Sequence, residues 1–239
     1  MRWIYLSPHL DDAVLSCGGL IAQQRMHGLH VEVWTIFAAV PSPERGGSLA
    51  RYLHTRWGFE NAQQAVEARR EEDQQALSIL QAQARYFPFL DCIYRQDSEG
   101  QPLYENIFSP PHPAEADLAE RIAVALGEHL REEDVVVAPL AIGEHVDHVL
   151  VRQAARRLGR PLWNYAEVPY LFKSPQEIEQ KTRSLQSVLF PLSFWGKKAW
   201  LSACSAYRSQ IAELFGDEEA MQRTLQEYMA RENGLRLWK

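Results

Sequence analysis

Two short clusters carry the side chains that bind metals and move protons. Pro8-His9-Leu10-Asp11-Asp12 follows an apolar run at the N-terminus, and Gly143-Glu144-His145-Val146-Asp147-His148 follows a second apolar run far downstream. Imidazole and carboxylate ligands with one position left open are what a catalytic zinc needs. In the first cluster Asp11 and Asp12 are adjacent, so they point in different directions and only one can share a metal with His9. The three-residue step from His9 to Asp12 suits two ligands on one tight turn. Asp11 would then lie beside the metal, where a carboxylate can take a proton from activated water. The competing reading is that Asp11 or Asp12 caps the following helix; His9 and the second cluster tip the balance toward metal. In the second cluster one of His145 and His148 completes the metal site. The other can act as an acid or an oxyanion stabiliser if a carboxylate orients its ring. Asp147 is the nearest candidate for that task, and Glu144 is placed toward solvent.

Each cluster sits at the C-terminal end of an expected strand, the edge where open α/β sheets bind ligands. Trp3–Leu6 reads as a buried strand, Ala13–His27 as a helix closed by Gly28, and Val31–Phe37 as a second strand rich in β-branched and aromatic residues. Residues 41–58 contain Pro-Ser-Pro and Gly-Gly and read as a mobile loop beside the site. Asn61–Gln83 is strongly helical, and Arg85–Leu90 is a strand that Pro88 bars from a central place. Asp97–Pro113 is turn-rich. A helix over Ala114–Arg131, a buried strand over Asp134–Ala138, a helix over His148–Leu158 and a last strand over Leu162–Val168 follow. The rest reads as helices over Pro175–Leu189, Trp195–Phe215 and Glu218–Glu232. The alternation predicts an α/β fold: a Rossmann-like three-layer α/β/α arrangement with a mostly parallel sheet and a helical C-terminal region. A single domain over residues 1–239 is expected, with an α/β core to residue 170 and a mainly helical extension over 171–239. Cys17-Gly18-Gly19 lies inside the first helix and is not GxGxxG, so a dinucleotide site is rejected.

At 239 residues with 46% hydrophobic and 23% charged content, the chain can bury a sizeable core without disulfides. A net charge of −6 disfavours nucleic acid or an anionic membrane as partner. Cys17, Cys92 and Cys204 form no CxxC pair and read as reduced thiols. No secretory leader and no run long enough to span a membrane is seen, so a cytoplasmic location is expected. Phe194-Trp195 could serve a homo-oligomer interface or the core.

Pro-His-x-Asp-Asp near the N-terminus, His-x-Asp-His after a later strand, and Arg69-Arg70-Glu71-Glu72 on a helix resemble the LmbE-like, or PIG-L, family of metal-dependent N-acetylglucosaminyl deacetylases. The motif matches run from residue 8 to 148. The resemblance implies a zinc site of His9, Asp12 and His148, with Fe²⁺ compatible with the same donors. It implies Asp11 as general base, and His145 as oxyanion stabiliser or acid with Asp147 holding its ring. Arg69 would contact the sugar, Arg70 competing for that role; a solvated helix face paired with Glu is the alternative for both. Two departures stand out. Ala13 replaces the usual acidic residue, and Gly143 stands where some relatives carry a tyrosine, leaving Tyr165 or Tyr170 as substitutes. The implied partner is a small sugar or glycoconjugate, and the implied reaction is removal of its N-acetyl group. Hydrolysis of a different amide or ester, or non-catalytic binding of a sugar or nucleotide, are the alternatives.

Overall fold

The computed structural model describes residues 1–239. β1 (Arg2–Ser7), α1 (Asp12–Met26), β2 (His30–Thr35), α2 (Ser48–Trp57), α3 (Ala62–Leu80) and β3 (Gln83–Tyr86) come first. α4 (Leu118–Gly127), β4 (Val135–Pro139), α5 (Val146–Arg157) and β5 (Leu162–Tyr165) continue the alternation. The chain ends with α6 (Tyr170–Lys173), α7 (Pro175–Thr182), β6 (Ser187–Pro191), α8 (Phe194–Cys204), α9 (Arg208–Phe215), α10 (Glu218–Glu232) and β7 (Gly234–Trp238).

The seven strands form one sheet in the order β3-β2-β1-β4-β5-β7-β6. The first five are parallel, and β7 runs antiparallel to both β5 and β6. Side chains alternate across this sheet. Ile4, Leu6, Trp34, Val136 and Ala138 enter one core, while Tyr5, Val33 and Val137 enter the other. Helices cover both faces, which is why the central strands read as continuous apolar runs rather than as alternating ones. The chain leaves β1 toward β2 on one side and returns to β4 on the other. That reversal opens a crevice at the C-terminal ends of β1 and β4, where both motif clusters begin.

Gly18 and Gly19 serve packing. A Cβ on Gly18 would meet Trp200 Cδ1 at 2.6 Å, and one on Gly19 would meet Leu192 Cδ1 at 2.7 Å. Two helical glycines cost roughly 0.5–1 kcal/mol each relative to alanine. In return α8 lies flush on α1, with Trp200 fully buried and its Nε1 donating to Val14 O at 2.9 Å. All three cysteines are free and buried, and no helix is long and apolar enough to cross a membrane.

Several elements differ from the sequence expectation. α2 lies within the segment read as a loop; its Leu49, Leu53 and Trp57 face the core at helical spacing, and the Pro and Gly residues around it only mark its ends. The helix expected over Trp195–Phe215 breaks at Ser205–Tyr207 into α8 and α9. The C-terminal region is not wholly helical. β6 replaces the end of one expected helix, and β7 follows α10. Both are five residues long, and only β6 alternates in burial, too little to stand out from helix ends by pattern alone. Phe194 and Trp195 are exposed rather than core residues.

Candidate active site

The turn after β1 is braced before any ligand arrives. Ser7 Oγ donates to His9 O at 2.6 Å and accepts from Ala13 N at 3.0 Å. Asp12, the first residue of α1, accepts the His9 backbone N–H at 2.8 Å through Oδ2. The same Oδ2 lies 3.3 Å from His9 Nδ1 and 3.3 Å from His148 Nε2. Ligand atoms on a tetrahedral metal with bonds of about 2.0–2.2 Å sit about 3.3–3.5 Å apart, and these two spacings to Asp12 have that length. The far nitrogen of each imidazole is taken by a buried carboxylate. Asp147 Oδ2 is 3.0 Å from His9 Nε2, and Glu167 Oε1 is 3.2 Å from His148 Nδ1. Such partners fix the ring and leave the opposite nitrogen facing the metal position. Nitrogens of His9, His145 and His148 also gather within 4.8 Å, and two alternative groups use Asp147 with Cys92 and His145 or with His9 and Asp91. Asp147 is a poor ligand, because Arg95 Nη2 sits 2.7 Å from its Oδ1 and the Cys92 N–H donates to its Oδ2 at 2.9 Å.

Electrostatics separates the acidic groups by task. Burial works against the charge of Asp12, but His148 and His9 outweigh it and hold the carboxyl well below its usual range. Asp147 is likewise held low against burial, mainly by Arg95 and His9. His148 is pushed up to about 9 because Asp12 and Glu167 outweigh burial. Asp11 goes the other way. Burial and the negative charge of Asp12 push it up to about 6, with Arg69 opposing. Its side chain makes no capping bond to α1, so the carboxylate is not spent on the helix. His145 is the N-cap of α5, and its Nδ1 accepts the Asp147 backbone N–H at 3.2 Å. That bond places the ring proton on Nε2. Burial, then the charges of His9 and His148, hold its pKa well below the imidazole norm. His145 is therefore a neutral donor, and what braces it is the Asp147 backbone. The Asp147 carboxylate, expected on His145, instead orients His9.

Residues 4–158 match the family described as PIG-L: GlcNAc-PI de-N-acetylase. The chain is 32% identical over 237 residues to a 2'-N-acetylparomamine deacetylase of Niallia circulans, covering 90% of this chain and 83% of that one. The fold is similar to that of a teicoplanin deacetylase crystallised in a zinc-inhibited form, with a TM-score of 0.83, 28% identity, and coverage of 100% and 97% of the two chains. An A40926 pseudoaglycone deacetylase matches with a TM-score of 0.79 at 30% identity, covering 99% and 96%. The chain belongs to the PIG-L family. It is thus a deacetylase, an amide hydrolase, with a buried His/Asp metal-site candidate.

In this PIG-L member the site forms the floor of a cavity of about 240 Å³. Leu53, Trp57, Ile93, Ile107, Phe108 and Leu214 make its apolar walls, and Lys173, Gln210 and Glu213 its polar rim. Arg69 lines the cavity, with Nη2 3.5 Å from Asp11 Oδ2 and its guanidinium 4.9 Å from the Trp57 ring centre. Arg70 does not line it. Its Nη2 donates to Ala38 O at 2.5 Å and its guanidinium stacks over Tyr86 at 5.0 Å, so its expected sugar contact is replaced by a structural one. α3 turns by about 100° per residue, so only one of two neighbouring arginines can face the cavity. Tyr165 is buried with its hydroxyl on Leu6 O at 2.9 Å, whereas Tyr170 lines the cavity. A Cβ on Gly143 would come within 2.6 Å of Tyr170 Cδ1, so the missing side chain at 143 makes room for the ring of Tyr170.

Three charged residues of the site escaped the sequence reading: Glu167, Asp91 and Arg95. Glu167 carried a readable signal, a lone acid in the apolar stretch Tyr165-Ala166-Glu167-Val168 directly after a strand; it is fully buried. Asp91, whose Oδ2 is 3.7 Å from His9 Nε2, and Arg95 lie in a connection where polar residues are ordinary.

Proposed function

We propose that this protein removes the N-acetyl group of an amino sugar carried in a small glycoside or glycoconjugate, with one zinc ion held by His9, Asp12 and His148. The observation that carries the reading is the pair of imidazoles, each backed by a buried carboxylate and each turning its free nitrogen toward one oxygen of Asp12. Zinc bound there supplies Lewis acidity toward the amide carbonyl and lowers the pKa of water toward neutrality. Fe²⁺ suits the same donors.

The chain's own groups account for the proton traffic. Asp11, with its raised pKa, takes a proton from the attacking water. His145 Nε2–H donates to the carbonyl oxygen as negative charge builds on it. Because His145 is held neutral, it serves as a hydrogen-bond donor rather than as the acid. Asp11 then returns its proton to the amide nitrogen, the C–N bond breaks, and acetate and a free amine leave. Arg69 keeps Asp11 largely ionised at neutral pH by opposing the charge of Asp12. Trp57, Phe108 and Tyr170 line the cavity and supply aromatic surface on which a sugar ring can pack.

The test is acetate release from 2'-N-acetylparomamine and from N-acetylglucosamine conjugates by the zinc-loaded and the iron-loaded protein, followed with the free amine by mass spectrometry. Equimolar acetate and amine, dependent on added metal, is the expected result. Acetate from none of these substrates with either metal would overturn the reading.

A further inference from the structure

Catalysis as described uses the floor of the cavity and leaves one buried group on its rim unexplained. Gln210, on α9, is 4% exposed and lines the cavity beside Glu213. Its carboxamide orientation is set by its neighbours. Ser209 Oγ donates its single proton to Glu72 Oε2 at 2.6 Å, and the Ser209 backbone N–H donates to Glu72 Oε1 at 2.9 Å. The group of Gln210 that lies 2.9 Å from Ser209 Oγ must therefore be the amide N–H. The carbonyl Oε1 receives no protein donor and is not sealed from solvent, so on this cavity-lining residue it is the group free to accept from a molecule in the cavity. Glu213 lies three residues on, hence on the same helix face, with its charge met by Arg56 of α2. Asp91 adds a third acceptor on the floor side. Lys173 is the cation of this rim, and Arg69 is already engaged by Asp11 and Asp91.

We propose that Gln210 Oε1 accepts a hydrogen bond from an amino or hydroxyl group on the ring attached to the N-acetylated sugar, so that α9 selects a donor-rich aminocyclitol-type aglycone. This rests on the amino-sugar reading above and deepens it. Gln210 is a binding residue and touches no reacting atom, so its effect falls on affinity.

The probe is paromamine, the free amine, titrated calorimetrically into the zinc-loaded wild type, Gln210→Met and Gln210→Glu. Gln210→Met keeps the shape and removes the acceptor; Gln210→Glu keeps an acceptor and loses the N–H to Ser209. The expected result is binding roughly tenfold to a hundredfold weaker in Gln210→Met, restored in Gln210→Glu. Equal weakening in both variants would reduce Gln210 to a scaffold contact with Ser209 and overturn the proposal. So would undiminished affinity in Gln210→Met, or no binding by the wild type. Acetate release from 2'-N-acetylparomamine by the wild type, measured alongside, separates the two ideas. Release with an unaffected Gln210→Met leaves the deacetylase reading standing and removes this one.

Discussion

The floor of the cavity and its rim are built on different terms. On the floor His9, Asp12, Asp147 and His148 are held by one another or by buried neighbours, down to the backbone N–H of His9 on Asp12. On the rim Gln210 keeps an acceptor open, and Tyr170 and Trp57 line the cavity below it. The floor comes from two tight turns at neighbouring strand ends. The rim comes from α2, α6 and α9, far apart in the chain. The family match at residues 4–158 covers both motif turns and stops before Glu167, α6 and α9. A floor braced from behind, with only Asp11 and His145 left open, suits one reaction, while open groups on the rim suit the choice of substrate.

Substitutions on the floor are the strongest way to break this contrast. Asp11→Asn is expected to lower kcat by about 10²–10⁴ while metal content is retained, because shape is kept and the base is lost. Asp11 must be ionised to act, so wild-type activity should fall as pH drops through its pKa, at or below about 6. Turnover and metal analysis across pH 4.5–8 check both points, and near-normal kcat in the variant would remove Asp11 from the mechanism. His145→Ala comes next, with a loss of about 10²–10³ in kcat at normal zinc stoichiometry. Loss of zinc instead would move His145 into the ligand set. Glu167→Gln is expected to weaken metal affinity by about 10–100-fold, read by competition with a chelator. Unchanged affinity would mean the carboxylate behind His148 is only structural.

The smallest effects sharpen the boundary between the regions. Arg69→Gln removes the positive charge that opposes the raised pKa of Asp11, so the acid limb of the kcat/KM profile should move to higher pH. Arg70→Gln, which loses contacts to Ala38 and Tyr86 outside the cavity, should change kcat/KM by about twofold or less with no shift of the limb. A shift in Arg70→Gln and none in Arg69→Gln would reverse the assignment of the two arginines.

Much of the floor could be read from the chain because its geometry is local. The three-residue steps His9–Asp12 and His145–His148 each span one turn, so residue types and spacing already constrain what they can reach. The central parallel strands were legible for a similar reason: burial on both faces makes them continuous apolar runs. β6 and β7 were not, since short antiparallel strands at one end of the sheet are stabilised by pairing with their neighbours rather than by their own pattern. α2 was hidden by the prolines and glycines that flank it.

By itself the sequence determined the reaction class: two His/Asp turns after strands, and a family signature around them. Only the tertiary structure decided which carboxylate meets which partner. Asp147 backs His9 because β1 and α5 converge at the crevice, and Glu167 backs His148 because β5 lies beside β4. Asp11 is pushed up to about 6 because burial and Asp12 act on it together. Partners 138 and 19 residues apart in the chain are brought into contact by strand order and helix packing, and no spacing rule within one segment encodes that.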